Sequence, residues 1–370
     1  MKTLTFEDVL DILYGCTVLG TGGGGNLEIG IEKVKKNFQE GKILKLASLS
    51  EVPDDKIVAS PYFVGSISPV DKRNKKTLPV VIENEALYAF KILEEYKNTK
   101  FFGAIATELG GGNTATAIDV AMNLSIPLID ADPAGRSVPG VQHTSFYIED
   151  VPIAPLSVVN KFGDVILIDH VVDDFRAETL VRNIAAESEN SVGVTSQPVI
   201  GKIFKNVVIP DTVTFAQKIG HALRSSKNKE LDPVSEMLKA GKGYLLFEGI
   251  VAEDTDWKDE NAYTVGEFKI KGSGTLFNGH NYRVWFKNEN IVSWLDNKPD
   301  VSAPDLICVV DRESGFPITN PSLKKGMHVA VLGFKSPGEW RKKKALEIFT
   351  PTSFGFDIPF TPIEKTHKEF

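Results

Sequence analysis

The sequence predicts a two-domain α/β protein: an amino-terminal α/β domain with βαβ units over residues 1–166 and a mixed, strand-rich carboxyl-terminal α/β domain over residues 167–370. Three observations predict it. At 370 residues the chain is too long for one typical core, since a domain takes ~150 residues. The stretch FFGAIATELGGGNTATAIDVAMNLSIPLIDADPAGRSVP, residues 101–139, reads as strand, glycine loop, helix, strand, with acids at both strand ends. From Tyr244 onward short apolar runs separated by turn segments such as KGSG and ESG replace the helix–strand alternation.

Taken in order, Thr5 to about Leu13 predicts an amphipathic helix with Phe6, Val9, Leu10 and Leu13 on one face and Thr5 with Asp8 as a capping box. The loop VLGTGGGGN, Val18 to Asn26, follows. Four consecutive glycines from Gly22 favour neither helix nor strand, so the backbone there must visit positive φ or be approached closely. Ile29 to Phe38 reads as helix, Ile43 to Leu46 and Ile57 to Val64 as strands. Phe101 to Thr107 is a strand ending in Glu108, Asn113 caps a helix running to about Asn123, and Ile126 to Ile129 is a second buried strand ending in Asp130 and Asp132. A boundary falls near residue 166, where prolines and a turn precede the strand Val165 to Ile168. Helices are expected over Asp174–Glu187 and Val213–Leu223. Strands are expected at Tyr244–Ala252, Glu267–Ile270, Tyr282–Phe286, Leu306–Val310 and Val329–Phe334, with a polar loop at Trp257–Asn261 and a frayed tail EKTHKEF.

A net charge of −7 argues against polyanionic partners, so nucleic acid is not expected, and the basic run Arg341 to Lys344 reads as a solvated helix face. No stretch approaches the ~18 apolar residues of a membrane helix, and Glu7 and Asp8 stand where a signal peptide needs a basic flank, so no membrane association and a cytoplasmic location are expected. Cys16 and Cys308 form neither a disulfide framework nor a CxxC pair and read as buried thiols.

The candidate chemistry gathers at one rim. In a right-handed βαβ unit the carboxyl ends of both strands point the same way, so Glu108, Asp130 and Asp132 are expected to converge where open α/β folds bind ligands. Glu108, after an apolar strand and facing a glycine turn, suits a general base; the alternative is that it holds its own loop together. Asp130 and Asp132 face one side of an extended segment and, with Arg136, could hold a divalent cation, orient a polar ring or pair internally. His143, in GVQHTS, is a candidate proton shuttle. Thr21, Gly22, Gly23, Gly24, Gly25 and Asn26 with Gly111, Gly112 and Asn113 are candidate substrate contacts, through loop amides. Neither the P-loop nor the dinucleotide fingerprint fits TGGGGN. His170, Asp173 and Asp174 have polar spacing compatible with a metal, but an exposed loop is the plain reading. FKNEN, Phe286 to Asn290, reads as a hairpin turn whose Lys287 and Glu289 could reach a cleft.

VLGTGGGGN, ELGGGN (Glu108 to Asn113), DADPAGRSVP (Asp130 to Pro139), WFKNENIV (Trp285 to Val292) and PDLICVVDRESGFPI (Pro304 to Ile318) occur in an order that resembles the S-methyl thiohydantoin desulfurase-like family, which is associated with hydantoinase/oxoprolinase proteins. The resemblance covers nearly the whole chain. It implies two α/β domains meeting near residue 166 and hydrolysis at a carbon of a five-membered S-methyl thiohydantoin ring with release of a thiol. Ser66-Ile67-Ser68-Pro69 and Ser314-Gly315 depart from the family's usual Gly-small-Pro and Thr-Gly segments, which bears on the substrate.

The expected function is therefore a hydrolase of a small cyclic amide-like substrate. Glu108 would activate water, Asp130 and Asp132 would orient the ring or a metal, loop amides at Gly23 to Gly25 and Gly111 to Gly112 would stabilise the developing anion, and Arg136 or His143 would assist the leaving group. Two other classes stand beside it: a phosphate- or nucleotide-using enzyme with TGGGGN as anion cradle, and a non-catalytic metabolite-binding subunit that docks on a hydantoinase-type protein. The cofactor stays open, with a divalent metal one option, and a homo-oligomer is the expectation for a soluble enzyme of this size.

Overall fold

The structure, a computed structural model, describes residues 1–65 and 78–370; the Ser66-Ile67-Ser68-Pro69 segment lies outside the described residues. Thr5 caps the first helix, α1 (Phe6–Leu19), through the expected capping box: its hydroxyl accepts from the Asp8 amide at 3.1 Å and its own amide donates to the Asp8 carboxylate at 2.9 Å. The helix runs past Leu13 to Leu19, because Val9, Ile12, Leu13, Cys16 and Leu19 keep one buried stripe going. Asn26 caps α2 (Leu27–Gln39), and α3 (Glu85–Tyr96) and α4 (Gly111–Leu124) follow.

The first sheet has eight strands: β1 (Lys2–Leu4), β2 (Leu44–Ala47), β3 (Ile57–Gly65), β4 (Gly103–Ala104), β5 (Leu128–Ile129), β7 (Leu156–Val159), β8 (Val165–Ile168) and β9 (Ser191–Ile200), in the order β1-β2-β5-β4-β3-β9-β7-β8. The inner four, β2, β5, β4 and β3, are parallel, so their carboxyl ends share one edge. β9 runs antiparallel to β3, pairing Val58 with Val199 and Gly65 with Ser191, and thus a strand from beyond residue 166 completes the amino-terminal sheet. A two-stranded ribbon joins β6 (Ala131–Asp132) to β10 (Ile209–Pro210). Around these lie α5 (Ser145–Ile148), α6 (Asp174–Glu187), α7 (Gly201–Val207), α8 (Thr212–Asn228) and α9 (Pro233–Gly241).

The second sheet is antiparallel throughout: β11 (Tyr244–Val251), β12 (Asp256–Glu260), β13 (Tyr263–Gly272), β14 (Asn281–Lys287), β15 (Glu289–Leu295), β16 (Lys298–Ser302), β17 (Leu306–Asp311) and β18 (His328–Phe334), in the order β16-β15-β14-β13-β11-β18-β17 with β12 on β13. Period two divides β17 between two cores. Leu306, Cys308 and Val310 pack with α1, α4 and α8, while Ile307 and Val309 join Phe247, Phe268 and Tyr282 on the other face. Both thiols are free and buried, and burial pushes each up to about 12.

Four expectations are corrected. Trp257–Glu260 is not a loop but most of β12, with Asn261 in the turn after it; β12 is an edge strand whose charged, exposed side chains read as polar in sequence. Asn113 does not cap α4; Gly110 holds the N-cap, and Asn113 lies inside the first turn. The tail is tied down, since the Phe370 amide donates to the Gly243 carbonyl at 3.0 Å and His367 lies 3.2 Å from Asp300. Arg341 is no solvated side chain: it reaches the buried Asp305 carboxylate at 2.6 Å. Among the described residues no helix is long and apolar enough to cross a membrane.

Candidate active site

The tetraglycine turn leaves α1 at Gly20 and needs its glycines. Thr21, Gly22, Gly24 and Gly25 have φ of 50°, 89°, 79° and 84°, the left-handed region. Close neighbours occupy the space of every missing side chain: a Cβ on Gly22 would meet the Asn320 amide at 2.4 Å, on Gly23 the Glu289 carboxyl at 2.0 Å, on Gly24 the Ser137 hydroxyl at 2.2 Å, and on Gly25 the Gly112 Cα at 3.0 Å. The second glycine loop meets the first backbone to backbone. The Gly24 carbonyl accepts from the Gly112 amide at 2.9 Å and the Asn113 amide at 3.1 Å, which commits the first-turn amides of α4 to protein rather than to a ligand.

Glu108 leaves the β4 edge and is 5% exposed. Its carboxylate accepts from Asn113 Nδ2 at 2.7 Å and from the Val138 amide at 2.8 Å, while Asn113 Oδ1 takes the Phe63 amide of β3 at 2.9 Å. Burial holds its pKa above the ordinary carboxylate range, against the lowering pull of those two donors. The β14–β15 hairpin turns on Asn288, at φ 57°, and places Glu289 against Gly23. Arg182, from α6, pairs with Glu178 and spends its remaining donors on the carbonyls of Gly65, Ala262 and Pro139.

These groups wall a cavity of ≈ 790 Å³, the size that small-molecule sites take. Gly24, Gly25, Asn26, Glu108, Gly112 and Asn113 line it, joined by Val138, Arg182, Asn288 and Glu289, with Lys33 half-buried beside Phe63. Thr21, Gly22, Gly23 and Gly111 lie behind this wall rather than on it.

The remaining rim residues do not converge with Glu108. Strands β4 and β5 are parallel, as the convergence requires, but each aspartate finds donors elsewhere. Asp130 accepts from the Thr214 amide at 2.9 Å and from its hydroxyl, supplying from the sheet the cap that α8 lacks in its own sequence. Asp132 is fully buried with one oxygen on the Ala134 and Gly135 amides, at 3.0 and 2.7 Å, and burial pushes it up to about 7. Arg136 pairs with neither. All its donors go to neutral oxygens: the carbonyls of Ser137, Pro304, Asp305 and Asn290 and the Thr21 hydroxyl, at 2.9 to 3.2 Å. It clasps the glycine turn to the second sheet, and burial lowers its pKa to about 10. His143 stacks on Phe349 at 4.8 Å and is buried outside the cavity, which pushes its pKa down to about 3 and keeps the ring neutral. Among the described residues no three His, Cys, Asp or Glu side chains are grouped to hold a metal, and Asp173 instead caps α6.

Of the residues that the structure adds, Glu289 lies in FKNEN and was visible as a turn residue facing a cleft. Arg182 carried no signal, being one more charge on an amphipathic helix.

Fold and cavity thus define a two-domain α/β protein with buried carboxyl groups facing a small-molecule-sized chamber between two interlocked glycine loops. Residues 7–170 match the model of the S-Me-THD-like N-terminal domain and residues 172–363 that of the S-Me-THD-like C-terminal domain, so the chain belongs to the S-Me-THD-like family. The crystal structure of a protein from Chromobacterium violaceum is similar at a TM-score of 0.79 and 20% identity, over 98% of this chain and 100% of that one, which shows a shared fold. No curated protein matches the chain.

Proposed function

We propose that the protein hydrolyses a small cyclic amide-like substrate, a ring of the S-methyl thiohydantoin or hydantoin type, with Glu108 as general base. The observation that carries this is a buried carboxylate, oriented by Asn113 and the Val138 amide, on the wall of a chamber that fits a substituted five-membered ring. Such a ring needs water delivered to an sp² carbon and charge relieved as that carbon becomes tetrahedral. A carboxylate whose pKa is raised by burial is a stronger base than a solvated one and sits nearer neutral pH. The Gly112 amide is taken by Gly24, so the loop donors for the developing oxyanion come from Gly24 and Gly25.

The chamber disfavours the phosphate-cradle reading. Two buried carboxyl groups face it, and the first-turn amides of α4 are already bonded. The metabolite-binding reading predicts binding without turnover and co-purification with a hydantoinase-type protein. A cytoplasmic setting, which keeps thiols reduced, suits the two free cysteines.

Thiol release from an S-methyl thiohydantoin by the purified protein is the test. Glu108→Gln keeps the hydrogen bond from Asn113 or Val138 within reach but cannot take a proton, and should lower turnover by about 10²-fold or more. Full turnover in that variant would remove Glu108 from the chemistry, and binding of the ring with no release by the wild-type protein would favour the binding-subunit reading.

A further inference from the structure

We propose that Glu289 is the proton donor of this site, a neutral carboxyl group that protonates the departing sulfur while Glu108 handles the water. The inference rests on the hydrolytic reading above and deepens it by assigning the second half of the proton traffic, which neither Arg136 nor His143 can reach from outside the chamber.

Burial pushes both glutamates toward the acid, but their hydrogen-bond partners set them apart. Glu108 accepts two good hydrogen bonds, which favour its ionised form. Glu289 is 2% exposed, and its Oε2 has no hydrogen-bond partner among the described residues. Among the described residues no ion pair compensates it, since Arg182 pairs with Glu178 and Arg136 bonds to neutral oxygens. The one donor acting on the carboxyl is the residue's own backbone amide, and a buried carboxylate with an unpartnered oxygen costs several kcal/mol, on the order quoted for unpaired buried charge, so the cheaper state is the acid. The charged groups facing it agree on balance. Glu108 opposes a second negative charge, Arg136 and Arg182 favour one, and both guanidinium groups are already spent on carbonyls, Thr21 and Glu178. Burial leads these effects and drives the Glu289 pKa well above the ordinary range. Two carboxyl groups on one chamber wall with one proton between them is the arrangement that separates an acid from a base. Gly23 belongs to the same design, since its missing Cβ is what lets the Glu289 carboxyl lie against the turn.

The balance of the reaction is as follows. The water oxygen bonds to the ring carbon that bears sulfur; one water proton passes to Glu108, and the electron pair of the C=N bond moves to the ring nitrogen, which takes that proton back. The hydroxyl proton then passes to Glu108 as the carbonyl forms. The C–S bond breaks, the sulfur leaves with the pair and takes the proton of Glu289. Transfer from Glu108 to Glu289 restores both groups, and the net change is one water consumed, one N–H and one thiol formed, with no redox step.

Leaving-group dependence tests it. A thiol that leaves readily without a proton makes a general acid dispensable, so Glu289→Gln should slow release of methanethiol by about 10²-fold or more and release of an electron-poor arylthiol from the same ring by less than about tenfold. Glu108→Gln should slow both alike. Difference infrared spectra at neutral pH, wild type minus variant, supply a readout that needs no turnover: Glu289→Gln should remove a protonated-carboxyl band that Glu108→Gln retains, over the contribution of Asp132 that both variants keep. Equal slowing of both leaving groups in Glu289→Gln, undiminished rates, or absence of the band would overturn the assignment. A wild-type protein inert on both rings would overturn the hydrolytic reading, and the donor step with it, even with the band in place.

Discussion

Asp132 and His143, both buried away from the chamber, set opposite limits on the pH range in which the fold is stable. Asp132 gives up its proton near 3.8 when unfolded but holds it to about 7 when folded. Between those values the folded state binds the extra proton, so this contribution to stability is complete below the unfolded pKa and is lost as pH rises through about 7. His143 acts at the other end. The unfolded ring charges below 6.5, the folded one only near 3, and stability falls as pH drops through that window. Asp132→Asn keeps an oxygen for the Ala134 and Gly135 amides and removes the ionisation. It should stabilise the protein at pH 8 by at least about 1 kcal/mol, which is less than one pKa unit's worth, and leave stability at pH 4 nearly unchanged. Denaturant midpoints of both proteins at the two pH values measure this; equal shifts at both would show that the carboxyl is not held neutral. In sequence Asp132 read as a rim carboxylate because its competing donors, the amides of its own turn, are invisible until the turn closes.

At the scale of elements, the crossing of α1 and α8 depends on two glycines. A Cβ on Gly15 would lie 1.8 Å from the Ala216 carbonyl oxygen, and one on Gly220 would lie 1.8 Å from that of Asp11. Neither neighbour is a flexible side chain, so the helices must separate to admit a methyl group. Gly220→Ala, though a helix-favouring change in isolation, should therefore cost about 1–3 kcal/mol, read as a lowered thermal midpoint. An unchanged or higher midpoint would mean that the crossing relaxes freely. Which elements the sequence revealed follows from where their information sits. The capping box of Thr5 and Asp8, the span Asp174–Glu187 and the period-two runs of the second sheet are local patterns, and each appears in the fold. The start of α4 is not local. Gly111 and Gly112 are poor helix formers, held in the first turn because the Gly112 and Asn113 amides bond to Gly24, so reading propensity alone moved the cap to Asn113. Asp130 was misplaced for a related reason: it serves as cap for α8, whose Thr214 stands far along the chain. The place of Glu108 on the chamber wall was legible because strand, acid and turn adjoin in sequence. The facing of Glu289 on Gly23 exists only once the second sheet docks on the glycine loop.

At the scale of the whole molecule, the two family domains share their hydrophobic interior. β9, from the second, lies between β3 and β7 of the first sheet, and leaving it out would expose the hydrogen-bonding edge of β3 from Ile57 to Gly65 together with Val192 and Val194's partners Val64 and Tyr62. On the opposite side α1 is buried against Ala216, Ile219 and Leu223 of α8 and against Leu306, Cys308 and Val310 of β17. Arg136 adds a polar clasp, since its donors end on Pro304, Asp305 and Asn290, and without these carbonyls a buried guanidinium would be left unpaired. A fragment of residues 1–170 would lose its central antiparallel neighbour, the cover of its first helix and the acceptors of Arg136 at once. The full chain should unfold in one cooperative transition, with near-ultraviolet dichroism from aromatic packing and far-ultraviolet dichroism from the backbone falling at the same denaturant concentration. The fragment, made alone, should lack dispersed amide resonances and melt without a cooperative step. Separate transitions in the full chain, or a fragment that melts sharply by itself, would show that the cores are independent. The chamber would then be a cleft between autonomous domains, and the position of Glu289 relative to Glu108 would be set by their docking rather than by a common fold.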